Sequence, residues 1–158
     1  MTINKKARRE VSELKAHIGY WVRIVSNNVS HAFANKLESS SVTVAEWVIL
    51  REMYGVEEET SSCVIAELTG LTRGAVSKLI SRLWEKGLLT RKESCEDRRY
   101  QEIKLTPQGR AMVPQLAALA DQNDEEFFSV ITKAEQKTLL NILIKTAKLH
   151  KFNKMPIE

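Results

Sequence analysis

The chain has 158 residues, is 43% hydrophobic and carries a formal charge of +4, a composition that is enough for a packed core and argues against a disordered chain. No apolar run approaches the roughly 18 residues of a membrane span, and the opening MTINKKARRE lacks the apolar stretch of a secretory signal, so a cytoplasmic protein is expected. Two cysteines, Cys63 and Cys95, stand outside any CxxC spacing; they offer no metal framework, and no disulfide is expected in a reducing compartment.

Residues 10–38 place Leu14, Ile18, Trp21, Val22, Val25, Val29, Phe33 and Leu37 at intervals of three and four. That period predicts one helix of about seven turns, longer than a small domain can cover, whose stripe invites a partner helix. Ser39, Ser40 and Ser41 break the pattern. Thr43 and Glu46 have capping-box spacing, predicting a second helix that stops near Gly55. Ser61 or Ser62 caps a short third helix through Val64, Ile65 and Leu68, closed by Gly70. Thr72 caps a fourth, with Val76, Leu79, Ile80, Leu83 and Trp84 inward and Gly87 as its stop. Two short helices joined by a turn of about four residues have helix-turn-helix spacing.

Residues 88–94 and 100–105 read as two strands, because Ile103 and Leu105 alternate with Glu102 and Lys104. The charged connector Cys95-Glu96-Asp97-Arg98-Arg99 between them makes the hairpin a wing. Thr106-Pro107 is a helix start, with a hydroxyl cap and then proline where no N–H is needed. The helix it opens runs through Met112, Val113, Leu116, Leu119, Phe127 and Phe128, bent at Pro114. Thr132 and Glu135 form a second capping box ahead of a last helix bearing Leu139, Leu140, Ile142, Leu143, Ala147 and Leu149.

Charge is unevenly placed. Residues 72–99 carry eight Lys or Arg against four Asp or Glu, whereas residues 100–144 carry four against six. A polyanion such as DNA responds to a basic segment of this kind, although a solvated surface has the same composition.

The stretch LTGLTRGAVSKLISRLWEKGLLTRKESCEDRRYQEIKLTPQGRAMV, residues 68–113, closely resembles the multiple-antibiotic-resistance regulator (MarR) family in three ordered motifs: the L-T-x-x-x-V-S-x-L-I-x-x-L-x-x-K-G-L-L unit, D-R-R, and L-T-P-Q-G. One long helix before this core and two after it are similar to the family as well. The resemblance implies an α+β, mostly helical fold: a winged helix-turn-helix over residues 41–109, with dimerisation helices in 1–40 and 110–158. It further implies a homodimer on double-stranded DNA with a palindromic operator, acting as a repressor released by a small molecule.

The residues themselves suit that task. The N-terminal part of a recognition helix approaches base edges, and here it offers Thr72, Arg73, Gly74, Ala75, Ser77 and Lys78. Arg73 can grip guanine bidentately, Ser77 or Thr72 can reach a base or phosphate, and Gly74 and Ala75 leave room for close approach. Lys78, Arg82, Ser61 and Ser62 suit phosphate contacts. In the wing, Asp97 can hold Arg99 extended by a charge-assisted bond. Similarity to the family implies Arg99 in a narrow minor groove, with Arg98 on the backbone or solvated.

Chemistry of other kinds finds little support. His17, His31 and His150 are scattered and match no catalytic or metal signature, so neither catalytic nor metal residues, nor a cofactor, are expected. Cys63 is read as packed and inert. The resemblance implies a small aromatic or phenolic ligand between the dimerisation helices and the winged lobe. His17, Trp21, Trp47 and Arg51 have the right types for its wall, aromatic faces with a cation, while ordinary core packing stays open for both tryptophans. A winged-helix module for protein interaction is the alternative class; it needs no basic recognition surface.

Overall fold

The computed structural model describes residues 11–56, 58–93 and 101–151. Its elements are α1 (Ile18–Leu37), α2 (Val44–Tyr54), α3 (Ser62–Thr69), α4 (Arg73–Glu85), β1 (Leu89–Glu93), β2 (Gln101–Leu105), α5 (Pro107–Phe128) and α6 (Lys133–Leu149), with single 3-10 turns at Leu14–Ala16 and Glu38–Ser40. Five of these six helices start where a side chain dictates. Thr43, Ser61, Thr72, Thr106 and Thr132 each accept a hydrogen bond from the backbone amide three residues on, and the two predicted capping boxes are both closed. Each cap satisfies an orphan donor of the first turn.

The first helix departs from expectation. The predicted helix over 10–38 begins only at Ile18, because His17 is extended (φ −85, ψ 127) and makes no side-chain cap. The preceding 3-10 turn is stitched to α1 from outside the helical ladder, by the Trp21 indole N–H donating to the Lys15 carbonyl at 2.9 Å. The apolar stripe also splits. Leu37 is buried, Val29 and Phe33 are half-buried, and Ile18, Trp21, Val22 and Val25 stand exposed.

The core gathers where α2, α4, the hairpin and α5 meet. Ile49, Leu50 and Met53 of α2 pack with Val76, Leu79, Ile80 and Leu83 of α4, Leu88, Leu89 and Ile103, and Val113 and Leu116 of α5. Strands β1 and β2 are antiparallel, with Leu89 opposite Leu105 and Arg91 opposite Ile103. Ile103 is bridged on its other side by Thr60, a third short edge that sequence pattern does not announce. Helix α5 continues through Pro114 without a break. It is held to α1 by Asn123, which donates to the Val29 carbonyl at 3.1 Å, and by Lys36, which donates to Asn123 and Glu126. The Lys36 and Gln122 donors hold the Glu126 carboxyl below its ordinary range. Among the described residues, no helix is long and apolar enough to cross a membrane.

Two contacts fix how α4 leaves this core. Glu46 is fully buried, and its Oε2 accepts from the Thr43 amide and from Lys86 Nζ at 2.7 Å. Lys86 Nζ also donates to the Ser41 carbonyl at 2.6 Å, so the end of α4 is tied to the corner between α1 and α2. At the other contact, Gly109 of α5 lies against the backbone of Leu88: a Cβ there would overlap the Leu88 carbonyl. The glycine of L-T-P-Q-G is thus required by close approach of two main chains.

Gly109→Ala is expected to cost about 3 kcal/mol or more, because main chain cannot yield as a side chain can. Lys86→Met, which strands a buried carboxylate, is expected to cost about 3 kcal/mol, and adding Glu46→Gln should recover part of that loss. Chemical denaturation measures both; a Gly109→Ala chain of unchanged stability, or strictly additive Glu46 and Lys86 losses, contradicts the respective contact.

Candidate nucleic-acid interface

The turn between α3 and α4 is made by three residues with separate tasks. Gly70 ends α3 in the left-handed region (φ 69), Leu71 is buried as an anchor, and Thr72 caps α4 through the Ala75 amide at 3.2 Å. A positive φ strains any residue with a Cβ, which suits glycine to that corner. The two helices form the helix-turn-helix that the spacing predicts.

Helix α4 divides cleanly. Val76, Leu79, Ile80 and Leu83 are buried as predicted, while Arg73, Gly74, Ser77, Lys78 and Arg82 are exposed and Ala75 is half-buried. Residues 74, 78 and 82 follow one another at intervals of four, so they form a single ridge on the helix surface. That ridge and its neighbours Arg73 and Ser77 present cations and small side chains outward. Thr72 is also exposed but uses its oxygen as the cap, as does half-buried Ser61 at the start of α3.

Arg73 is not simply solvated. Its Nη2 lies 3.6 Å from Sγ of Cys63, whose thiol faces the Glu67 carboxylate at 3.9 Å. The cysteine expected to be packed and inert is half-buried and bridges the two helices. Only the tertiary fold brings positions 63 and 73 together, so sequence spacing carries no sign of it.

Trp84 is the error in the predicted inward set. It is 46% exposed, because it lies about 80° around the helix from Val76, at the edge of the buried arc. Its ring is covered from outside by Arg91 of β1, with the guanidinium carbon 4.2 Å from the ring centroid. In the third helix, Val64 and Leu68 are likewise exposed and Ile65 alone of the three is buried. The wing candidates Asp97, Arg98 and Arg99 lie outside the described residues, as does Cys95. The strands that lead to them are placed, with exposed Lys92 and Lys104 adding positive charge.

The four candidate ligand residues fall into two pairs. His17 and Trp21 are exposed at the start of α1, and Trp47 and Arg51 share a face of α2. Trp47 packs edge-on against Phe33, with ring centroids 6.4 Å apart. Phe33 is twelve residues along α1 from Trp21, about 18 Å of helix, so one protomer does not gather all four. A cleft of about 560 Å³ lies instead between the end of α5 and α6, lined by Asp121, Glu125, Phe128, Lys133, Leu140 and Leu143 among others. No residue of α6 is buried; Leu140, Ile142, Leu143, Ile144 and Leu149 are all exposed. Among the described residues no cluster of three or more His, Cys, Asp or Glu could hold a metal.

Residues 40–99 match the model of the MarR family. The chain is similar in fold to solved structures of transcription regulators. BpsR of Bordetella bronchiseptica, whose DNA binding is regulated by 6-hydroxynicotinic acid, is 24% identical over 87% of this chain and 98% of its own, with a TM-score of 0.76. MepR of S. aureus, solved with DNA, is 23% identical over 84% and 97%, at 0.75. A mutant MarR of E. coli, solved with operator DNA, is 23% identical over 85% and 99%, at 0.73.

Removing the cap of α4 by Thr72→Ala is expected to cost about 1 kcal/mol, and Gly70→Ala a similar amount from the strained φ. Urea titration reads both. If neither substitution lowers the midpoint, the turn is not held as described.

Proposed function

We propose that this chain, whose residues 40–99 match the model of the MarR family, is a homodimeric, sequence-specific regulator of transcription that binds double-stranded DNA. The observation that carries this reading is the outward face of α4, where Arg73, Ser77, Lys78 and Arg82 stand exposed over an inward face of Val76, Leu79, Ile80 and Leu83. A helix so divided is held rigidly while its charged edge remains available to a groove. Arg73 reads a base, most simply guanine through its fork of donors. Lys78, Arg82 and the helix start at Ser61 and Ser62 hold phosphates, and Asp97, Arg98 and Arg99 extend the contact from the wing.

The dimer supports the same reading. Ile18, Trp21, Val22 and Val25 on α1 and five aliphatic residues on α6 are exposed, two apolar stripes of the kind that mark protein–protein contact. A second copy buries these faces and sets the two recognition helices on a two-fold axis, matching a palindromic operator. BpsR and its 6-hydroxynicotinic acid make a small aromatic acid the first ligand to try as releasing agent. Two subunits can supply the wall that one protomer leaves divided between His17–Trp21 and Trp47–Arg51. A repressor of this kind works in the cytoplasm, on DNA rather than as an enzyme on a substrate. A ligand releases it only through unequal affinity for the DNA-competent and relaxed states.

The test begins with a duplex selected by the full chain from a randomised pool. Arg73→Ala is expected to weaken binding to it by about tenfold to a hundredfold and to relax preference at one base pair. Lys78→Ala should weaken selected and unrelated duplexes alike and reduce the salt slope by about one. Failure to retain any duplex at low salt sinks the DNA reading and favours a protein-interaction module.

Sedimentation tests the dimer independently. The unsubstituted chain should run at twice its mass, and Leu140→Glu with Leu143→Glu should shift it toward the monomer. A monomeric unsubstituted chain refutes the two-fold arrangement.

A further inference from the structure

Arg91 makes contacts that neither the core nor the DNA-facing ridge of α4 uses. Its guanidinium carbon lies 4.2 Å from the centroid of the Trp84 ring, and its Nη1 donates to Ser81 Oγ at 3.2 Å. Ser81 and Trp84 are three apart on α4, so ring and hydroxyl form one seat spanning a helical turn. The arginine reaches it from the middle of β1, opposite fully buried Ile103.

The position of this contact along the hairpin matters. At its base the hairpin is joined to α4 through Gly87 and Leu88, whose amides donate to Trp84 and Leu83 carbonyls. On the β2 side the hairpin is held further out by buried Ile103, whose amide and carbonyl both bond to Thr60; a two-stranded ribbon needs such packing on each strand to keep one pitch. Arg91 is two residues out from Leu89, about 7 Å along the strand, at the level of that bridge, and ties the β1 side of the hairpin to α4. Cation–π stacking and a directed hydrogen bond constrain distance and tilt together. Trp84 remains 46% exposed with the arginine over its ring.

We infer that Arg91, seated on Trp84 and Ser81, is a positioning residue that fixes the pitch of the β1–β2 hairpin against α4, so that helix and wing engage one duplex in register. The inference rests on the DNA-binding reading above. It makes Arg91 a brace between two reading elements and sets it apart from the phosphate-contacting cations of α4.

The experiment uses full-length variants and the duplex that the unsubstituted chain selects from a randomised pool. Affinity, salt slope, hydroxyl-radical footprint and thermal midpoint are read together. Arg91→Gln and Trp84→Leu are each expected to weaken binding by about tenfold. Their losses should not add in the double variant. The salt slope should change equally in the two variants, since each releases the wing and neither side chain is itself a phosphate contact. Protection should fade at the flanks of the footprint and persist at its centre, and Trp84→Phe, which keeps a ring, should restore both affinity and flank protection.

Trp84→Leu binding with full affinity and full flank protection overturns the inference. A salt slope reduced by about one in Arg91→Gln alone also overturns it, and identifies the arginine as a phosphate contact. Uniform fading of the footprint in step with a lowered thermal midpoint assigns the pair to stability and overturns it as well. If the unsubstituted chain selects no duplex, the DNA reading falls and takes this inference with it; if that chain binds and the variants match it, the brace alone is lost.

Discussion

The arrangement depends first on one buried carboxylate. Glu46 sits on the inner side of α2, fully enclosed, and its Oε2 joins the Thr43 amide and the Lys86 ammonium while Oε1 has no partner among the described residues. Desolvating that charge is costly, and an apolar pair of similar volume could serve stability as well. What such a pair could not do is fix three backbone points at once. Through Glu46 and the Ser41 carbonyl, Lys86 locks the C-terminal end of α4 to the start of α2 and to the corner where α1 ends. On the DNA-binding reading, α4 is useful only at a defined angle to the rest of the molecule, and apolar packing alone permits small slides that a directed ion pair does not.

The second constraint is the division of one apolar stripe between two environments. Along α1 the same three-and-four spacing runs from Ile18 to Leu37, yet only its C-terminal part enters the chain's own core. The break at His17 and the absence of any buried residue in α6 leave both ends of the molecule with aliphatic surface turned outward. On the dimer reading, association and folding are linked: burying these faces against a second copy would add to the stability of each subunit and make it depend on concentration. The winged lobe, with its own core between α2, α4, the hairpin and α5, does not share that dependence to the same degree.

Much of this was legible in the sequence, and what was legible was local. Caps at Thr43, Ser61, Thr72, Thr106 and Thr132 and stops at Gly70 and Gly87 act within a few residues of themselves, so their spacing suffices. The inward set of α4 follows from helical period for Val76, Leu79, Ile80 and Leu83. Trp84 failed because it lies at the edge of the arc those four define, and which side of that edge is covered depends on Arg91 of the next strand. The helix expected from residue 10 failed because apolar spacing carries on through His17 although the backbone does not. The burial of Glu46 against Lys86, the bridge at Thr60 and the need for Gly109 are all long-range facts. They join segments whose meeting no window of the sequence contains.

On the DNA-binding reading, the charge of the chain explains why these pieces must act in pairs. A net charge of +4, with residues 100–144 on the acidic side, gives each protomer little general attraction for a polyanion. The exposed cations of α4 are three, Arg73, Lys78 and Arg82, and counterion release from so few contacts leaves a single head weak at physiological salt. Linking two heads converts the second encounter into an intramolecular one, and affinity then rises steeply provided that both meet the duplex in phase. Phase is what rigid attachment secures, at Glu46–Lys86 for the helix and along the hairpin for the wing. A ligand or substitution that rotates one lobe by a modest angle therefore need not touch a base contact to release DNA: it spoils the pairing, and each half alone binds too weakly to stay.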